Sequence, residues 1–167
     1  TNFQLMEVEE GKQENIENWK VVIPHREDVF LEGIELFKNF LVVQERKEGL
    51  IHIRIINQLT QEEHYLNFGE AAYTSFISIN PEFDTNLLRF GYTSLTTPRS
   101  TYDYNMETRE KVLLKEQEVL GGFTKEDYKS KRIFVTVRDG AKVPVSIVYH
   151  KDTVLNGTAP LLQYAYG

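Results

Sequence analysis

Cysteine is absent from the 167 residues, which excludes disulfide scaffolds, cysteine-ligated zinc, iron–sulfur clusters and thiol nucleophiles. No apolar run approaches the roughly 18 to 20 residues that a helical membrane span requires, and Lys38, Asn39 and Arg54 interrupt the longest. No membrane partner is therefore expected. An excess of positive charge is also missing. Nineteen Lys plus Arg face 25 Asp plus Glu, a net charge of -6, so a phosphate-neutralising nucleic-acid surface is not expected. Glycines stand in neither a Walker nor a dinucleotide context, Gly121-Gly122 and Gly140 included. The first ten residues carry neither an initiating Met nor the basic and apolar regions of a signal peptide, and the far end closes on an apolar run. Both ends read as cut from a longer chain.

What is present is apolar material, 41% of the residues, enough for one ordinary domain or two small ones. It is arranged with a period of two. In Leu50-Ile51-His52-Ile53-Arg54-Ile55-Ile56 the residues Ile51, Ile53 and Ile55 share a face, which predicts a half-buried strand. Residues 40–46 form a second strand, and Lys47-Glu48-Gly49 supplies a three-residue loop, which together predict a hairpin. Similar strands are expected at 19–24, 30–37, 64–68, 73–79, 87–94, 100–106 and 110–115, punctuated by Asn80-Pro81 and the polar stretch 57–61.

Strands at this spacing without a long helical period argue for an antiparallel all-β meander: sandwich, barrel or propeller. Residues 40–68 and 87–115 each read as three successive strands, and an offset of roughly 45 residues suits propeller blades. The composition shifts near residue 116, where Gly121-Gly122 and Thr124-Lys125-Glu126-Asp127 suggest a linker with a helix start of a turn or two. Beyond it, strands at 132–138 and 143–149 flank Asp139-Gly140, a type I′ turn or a short bulged loop. Pro144 cannot donate to a ladder, so it marks an edge, and a last strand-like run covers 159–166.

Catalytic signatures are few. None of Ser75, Ser78, Ser94, Ser100, Ser130 or Ser146 has the flanking glycines of a nucleophile elbow. His25, His52, His64 and His150 are scattered and read as structural or solvated, so no metal site and no cofactor is expected. Asn156-Gly157-Thr158 reads as a turn in preference to a glycosylation acceptor, and the acidic stretches 7–10 and 107–118 read as solvated faces.

The succession 128–149, with Ser130, Arg132, Thr136, Asp139-Gly140, Val143-Pro144, Ser146 and Val148, followed by Pro160-Leu161-Leu162-Gln163-Tyr164-Ala165-Tyr166-Gly167, resembles the prolyl oligopeptidase family of serine peptidases, oligopeptidase B branch. Upstream, Asn80 to Asn86 and Thr96-Thr97-Pro98-Arg99-Ser100-Thr101-Tyr102-Asp103 are similar to the last propeller blade of that branch. The resemblance implies a mainly β fold. Residues 1–115 would be the C-terminal blades of a propeller, and 116–167 a linker and the opening strands of an α/β-hydrolase domain. It implies a cytoplasmic oligopeptidase that hydrolyses short peptides, after basic residues. By the same resemblance Tyr166 is one arm of the oxyanion hole, with Ala165 departing from the family's usual glycine. The family's serine, aspartate and histidine, and the acidic residues behind its basic preference, lie beyond Gly167. The chain alone is accordingly expected to be inactive and, with severed strand edges, to self-associate. The competing reading is a noncatalytic β-rich peptide- or protein-binding module.

Overall fold

The computed structural model describes residues 2–165. Twelve strands, named in chain order, make four antiparallel sheets among the described residues. β1 (Leu5–Glu7) pairs with β2 (Lys20–Ile23). β3 (Phe30–Leu36), β4 (Phe40–Lys47), β5 (Leu50–Asn57) and β6 (Glu63–Tyr65) form one four-stranded meander. β7 (Tyr73–Ile77), β8 (Leu87–Ser94), β9 (Ser100–Asn105) and β10 (Lys111–Glu116) form a second of the same order. β11 (Tyr128–Thr136) and β12 (Lys142–His150) make a separate hairpin. The sheets form an open array. The repeating unit thus has four strands, one more than the sequence pattern suggested, because the first strands β3 and β7 belong to it.

The expected alternation holds in β5, where Ile51, Ile53 and Ile55 are buried and the residues between them are not fully so. It fails in β4, where Phe40, Leu41, Val42 and Val43 are all buried. The cause is position. Phe40 and Val42 face the second sheet, while Leu41 and Val43 pack with Ile23 of β2. A strand covered on both sides loses its period-2 signature.

The larger core lies in the seam between the four-stranded sheets. Phe37, Phe40, Val42, Ile53, Ile55 and Leu66 of the first meet Leu88, Phe90, Tyr92, Tyr104 and Met106 of the second. Each large apolar side chain buried there contributes about 1.5–3 kcal/mol. Aromatic stacking lines the seam, with Phe68 on Tyr92 at 5.2 Å and Phe90 on Tyr102 at 5.4 Å between centroids. His64 Nε2 and the Tyr104 hydroxyl, 2.9 Å apart, join the two sheets at its edge.

Two local expectations are revised, and of the two forms open to the β11–β12 loop one is found. Lys47 pairs with Leu50, so the β4–β5 loop is two residues, Glu48 (φ 51°) and Gly49 (φ 83°). That is the type I′ turn whose twist matches the flanking strands. The β11–β12 loop takes the bulged form: Gly140 N donates to Val137 O, Val137 N to Ala141 O, and Gly140 alone has positive φ. The run 160–165 is not a strand, because its backbone finds no ladder partner among the described residues. The remainder of that run, including Tyr166, lies outside the described residues.

Candidate functional site: the propeller face carrying the C-terminal hairpin

In both meanders the chain turns at two ends. One end holds the β4–β5 turn, the β8–β9 connection and the link between the sheets, and the hairpin β11–β12 sits there. Arg132, on β11, donates from its guanidinium to the Glu48 carbonyl and lies over the Phe134 ring at 5.2 Å. A Cβ on Gly49 would stand 3.4 Å from that guanidinium, so the turn glycine serves both the positive φ and the close approach. Between turn and hairpin lies an open cleft of about 620 Å³, lined by Glu48, Gly49, Phe134, Thr136, Lys142 and Pro144.

The second contact on this face is built around Glu70, in the link between the sheets. Its carboxylate accepts from Thr96 Oγ1 at 2.8 Å, Thr97 Oγ1 at 2.6 Å and Lys125 Nζ at 3.0 Å. The two threonines are held in turn, because Ser94 Oγ accepts from their backbone N–H groups at 3.0 and 2.8 Å. Burial acts to raise the Glu70 pKa, but the hydroxyls of Ser94, Thr97 and Thr96 and the Lys125 ammonium outweigh it and bring it down to about 2. The adjacent Tyr92 hydroxyl is buried, and burial first and then the neighbouring Glu70 carboxylate push its pKa up. Lys125 belongs to a single 3-10 turn, Lys125–Asp127, as short as the helix-start signal implied.

A third polar cluster lies on the other side of the first sheet. Glu45 is 1% exposed and accepts from Arg26, from Arg54 Nη1 at 3.4 Å and from the Tyr65 hydroxyl at 2.9 Å. Arg54 also donates to Glu63. A carboxylate this buried is tolerable only because charged and neutral donors converge on it. Burial also pushes the Tyr65 phenol pKa up. The network replaces an apolar continuation of the Leu41 and Val43 face.

The serine hydroxyls bond elsewhere. Ser75 donates to the Ile51 carbonyl and Ser100 to the Pro98 carbonyl, and among the described residues no serine hydroxyl is bonded to a histidine. His52 and His64 are half-buried, and burial lowers both pKa values, while His25 and His150 are exposed. No three His, Asp or Glu side chains group to hold a metal among the described residues. At Asn156 the side-chain oxygen accepts from Thr158 N at 3.0 Å and Thr158 Oγ1 at 2.6 Å, the local geometry of a turn.

One sequence signal went unread. Asn57-Gln58-Leu59-Thr60-Gln61-Glu62 and Asn105-Met106-Glu107-Thr108-Arg109-Glu110 share the pattern N-x-x-T-x-E. Both fold identically at the far end of the sheets. Each Asn Oδ1 accepts from the second and third following amides, at 2.9 and 3.1 Å in the first and 3.0 and 3.0 Å in the second. Gln61 and Arg109 both take positive φ, at 63° and 65°. This repeated turn, read as such, identifies the four-stranded unit from sequence.

A stack of four-stranded meanders joined by short links and followed by a separate hairpin defines part of a β-propeller with an attached second element. The family model for "Prolyl oligopeptidase, N-terminal beta-propeller domain" matches residues 1–117. The chain belongs to the prolyl oligopeptidase family. It is 42% identical over 168 residues to dipeptidyl aminopeptidase BI of Pseudoxanthomonas mexicana, covering 100% of this chain and 23% of that protein. It is 30% identical over 166 residues to protease 2 of Moraxella lacunata, covering 99% and 23%. The chain thus spans about a quarter of the length of these curated relatives. Among solved structures, oligopeptidase B from Trypanosoma brucei with covalently bound antipain superposes with a TM-score of 0.70 at 31% identity, covering 81% of this chain and 20% of that one. Oligopeptidase B from Leishmania major gives 0.70 at 32% identity over the same shares. No described helix is long and apolar enough to cross a membrane.

Proposed function

We propose that this chain is the terminal propeller blades and the first strands of the peptidase domain of a serine-type oligopeptidase. Residues 1–115 are the blades and 116–167 the linker and opening strands of the α/β-hydrolase unit. The observation that carries this reading is continuity: the match to dipeptidyl aminopeptidase BI extends over 100% of the chain, through β11–β12 and past the propeller boundary. The propeller restricts access to short peptides. The reaction is acyl transfer through a seryl intermediate, with the triad supplied by sequence beyond Gly167. Tyr166 donates its hydroxyl to the oxyanion of the tetrahedral intermediate, and the enzyme acts in the cytoplasm.

Cleavage after basic residues fits the likeness to protease 2 and the oligopeptidase B structures, while the name of the 42% relative suggests removal of dipeptides from a free N-terminus. The full-length protein should be assayed on a fluorogenic Arg peptide with its N-terminus free and then blocked. Cleavage of both forms marks an endopeptidase, and loss on blocking marks a dipeptidyl peptidase. Tyr166→Phe is expected to lower kcat by about 10²–10³-fold, as loss of one oxyanion donor does. No cleavage by the full-length protein sinks the reading. The isolated chain is expected to be inactive and to self-associate through its exposed apolar strands, so a clean monomer in light scattering at tens of micromolar, a concentration at which exposed patches associate, would contradict the second point.

A further inference from the structure

We propose that the cavity at the far end of the seam between the two four-stranded sheets binds a small zwitterion with an apolar body, the class of the free apolar amino acids, between Arg109 and Glu62. This goes beyond the peptidase reading and does not rest on it. The cavity, of about 230 Å³, takes one wall from each sheet and lies at the end opposite the β11–β12 hairpin. Phe40, Ile55 and Met106, all buried, give it an apolar floor. Charged side chains line its rim, Glu62 from the turn of the first sheet and Glu107 and Arg109 from the turn of the second. Glu107 accepts from Asn86 Nδ2 at 2.8 Å. The Glu62 carboxylate and the Arg109 guanidinium, by contrast, make no hydrogen bond or ion pair among the described residues, not even with each other. His64, bonded to Tyr104, completes the wall. Burial first and then the Arg109 charge lower the His64 pKa, so the ring is neutral at pH 7 and Arg109 is the one cation in the described lining.

The Arg109 backbone points the same way. Its φ of 65° suits glycine, and any other residue there is held at a conformational cost. Gln61 stands at the matching place in the first sheet's turn, with φ 63°, but its amide turns back and donates to the Gln58 carbonyl at 2.9 Å. One long side chain closes its own turn. The other lines the seam, near enough to His64 and Tyr104 for its charge to act on both. Unpaired charges of opposite sign on two walls, above an apolar floor, match a ligand that carries both signs at one end and hydrocarbon at the other. A purely anionic ligand would meet Glu62 and Glu107, and a purely cationic one Arg109.

Titration of the full-length protein with leucine, read by saturation-transfer NMR, tests this without reference to peptide cleavage. A ligand of about nine heavy atoms should bind in the millimolar range. Leucinamide, which lacks the carboxylate, and N-acetylleucine, which lacks the ammonium, should each bind about tenfold more weakly, the scale of one charge-assisted hydrogen bond. Arg109→Gly suits the positive φ, so it should leave the fold at least as stable while weakening leucine about tenfold and erasing the preference over leucinamide. Glu62→Gln should erase the preference over N-acetylleucine. Gln61→Gly, the same change at the matching turn and outside the cavity, should leave leucine binding unchanged. No saturation transfer to leucine at tens of millimolar overturns the proposal. So does a leucine affinity that survives Arg109→Gly, that falls equally with Gln61→Gly, or that either analogue matches.

Discussion

The two four-stranded sheets have the same strand order and the same Asn-led turn, yet one is covered on both faces and the other on one. In the first sheet, Leu41 and Val43 pack on Ile23 while Val42 and Ile53 face the seam. In the second, Phe90 and Tyr92 face the seam, but the opposite face carries the Arg89–Asp103 pair, at 2.8 and 2.9 Å, and Phe76 over Gly91. Its last strand, β10, is exposed throughout. Local sequence thus makes the meander, and the neighbours decide which of its faces can be apolar.

The strongest way to test this contrast is to empty the shared seam and then the open strand. At positions with no exposure, Ile53→Ala should cost about 2–5 kcal/mol and Phe90→Ala about 3–5 kcal/mol in urea unfolding, the transfer plus cavity term of a large buried side chain. Leu113→Ala on β10 should stay within about 0.5 kcal/mol. A comparable loss at Leu113 would show that β10 is covered in solution.

Glycines sharpen the same comparison. A Cβ at Gly91 would overlap the Phe76 ring, its cross-strand neighbour, whereas one at Gly33 in the first sheet meets nothing within 4 Å. Gly91→Ala should therefore cost about 1–3 kcal/mol by overpacking, and Gly33→Ala should be nearly neutral. Equal thermal shifts for the two would refute the assignment of Gly91 to a close approach.

The repeated turn offers a smaller effect that should not differ between sheets. Asn57→Ala and Asn105→Ala each remove two side-chain acceptor bonds on exposed loops, and each should cost about 1 kcal/mol. A marked inequality would mean that packing around the turn matters more than the turn itself.

A pH effect is expected at Glu70. Its pKa is held at about 2 in the fold, below the ordinary carboxylate value. Between those two values the unfolded chain binds more protons than the folded one, so the stabilisation is complete above the ordinary value and fades as pH falls through about 2. The stability gap between wild type and Glu70→Gln should shrink on acidification from pH 6 towards 2, a fade set by this linkage. A gap that widens would give the shift the wrong sign.

Much of this architecture was legible. The strands from β2 to β12 follow from alternation in segments such as Ile51, Ile53 and Ile55, and the propeller reading followed from resemblance at 80–104 and 128–149. The N-x-x-T-x-E turn was equally readable and went unread because its polar residues look like any loop. The Glu70–Lys125 contact was not legible, because 55 residues separate its partners and nothing local links a carboxylate to one lysine among many. Tyr166, the residue singled out for chemistry, lies outside the described residues.

By itself the sequence determined where the chain pairs and turns, since period-2 burial, positive-φ glycines and Asn side-chain bonds are short-range physics. The tertiary structure alone decided that β4 is buried on both faces, that Glu45 lies among two arginines and a tyrosine, and that the hairpin rests on polar contacts. Burial and charge pairing depend on what stands opposite, and only the stacking of sheets supplies that neighbour.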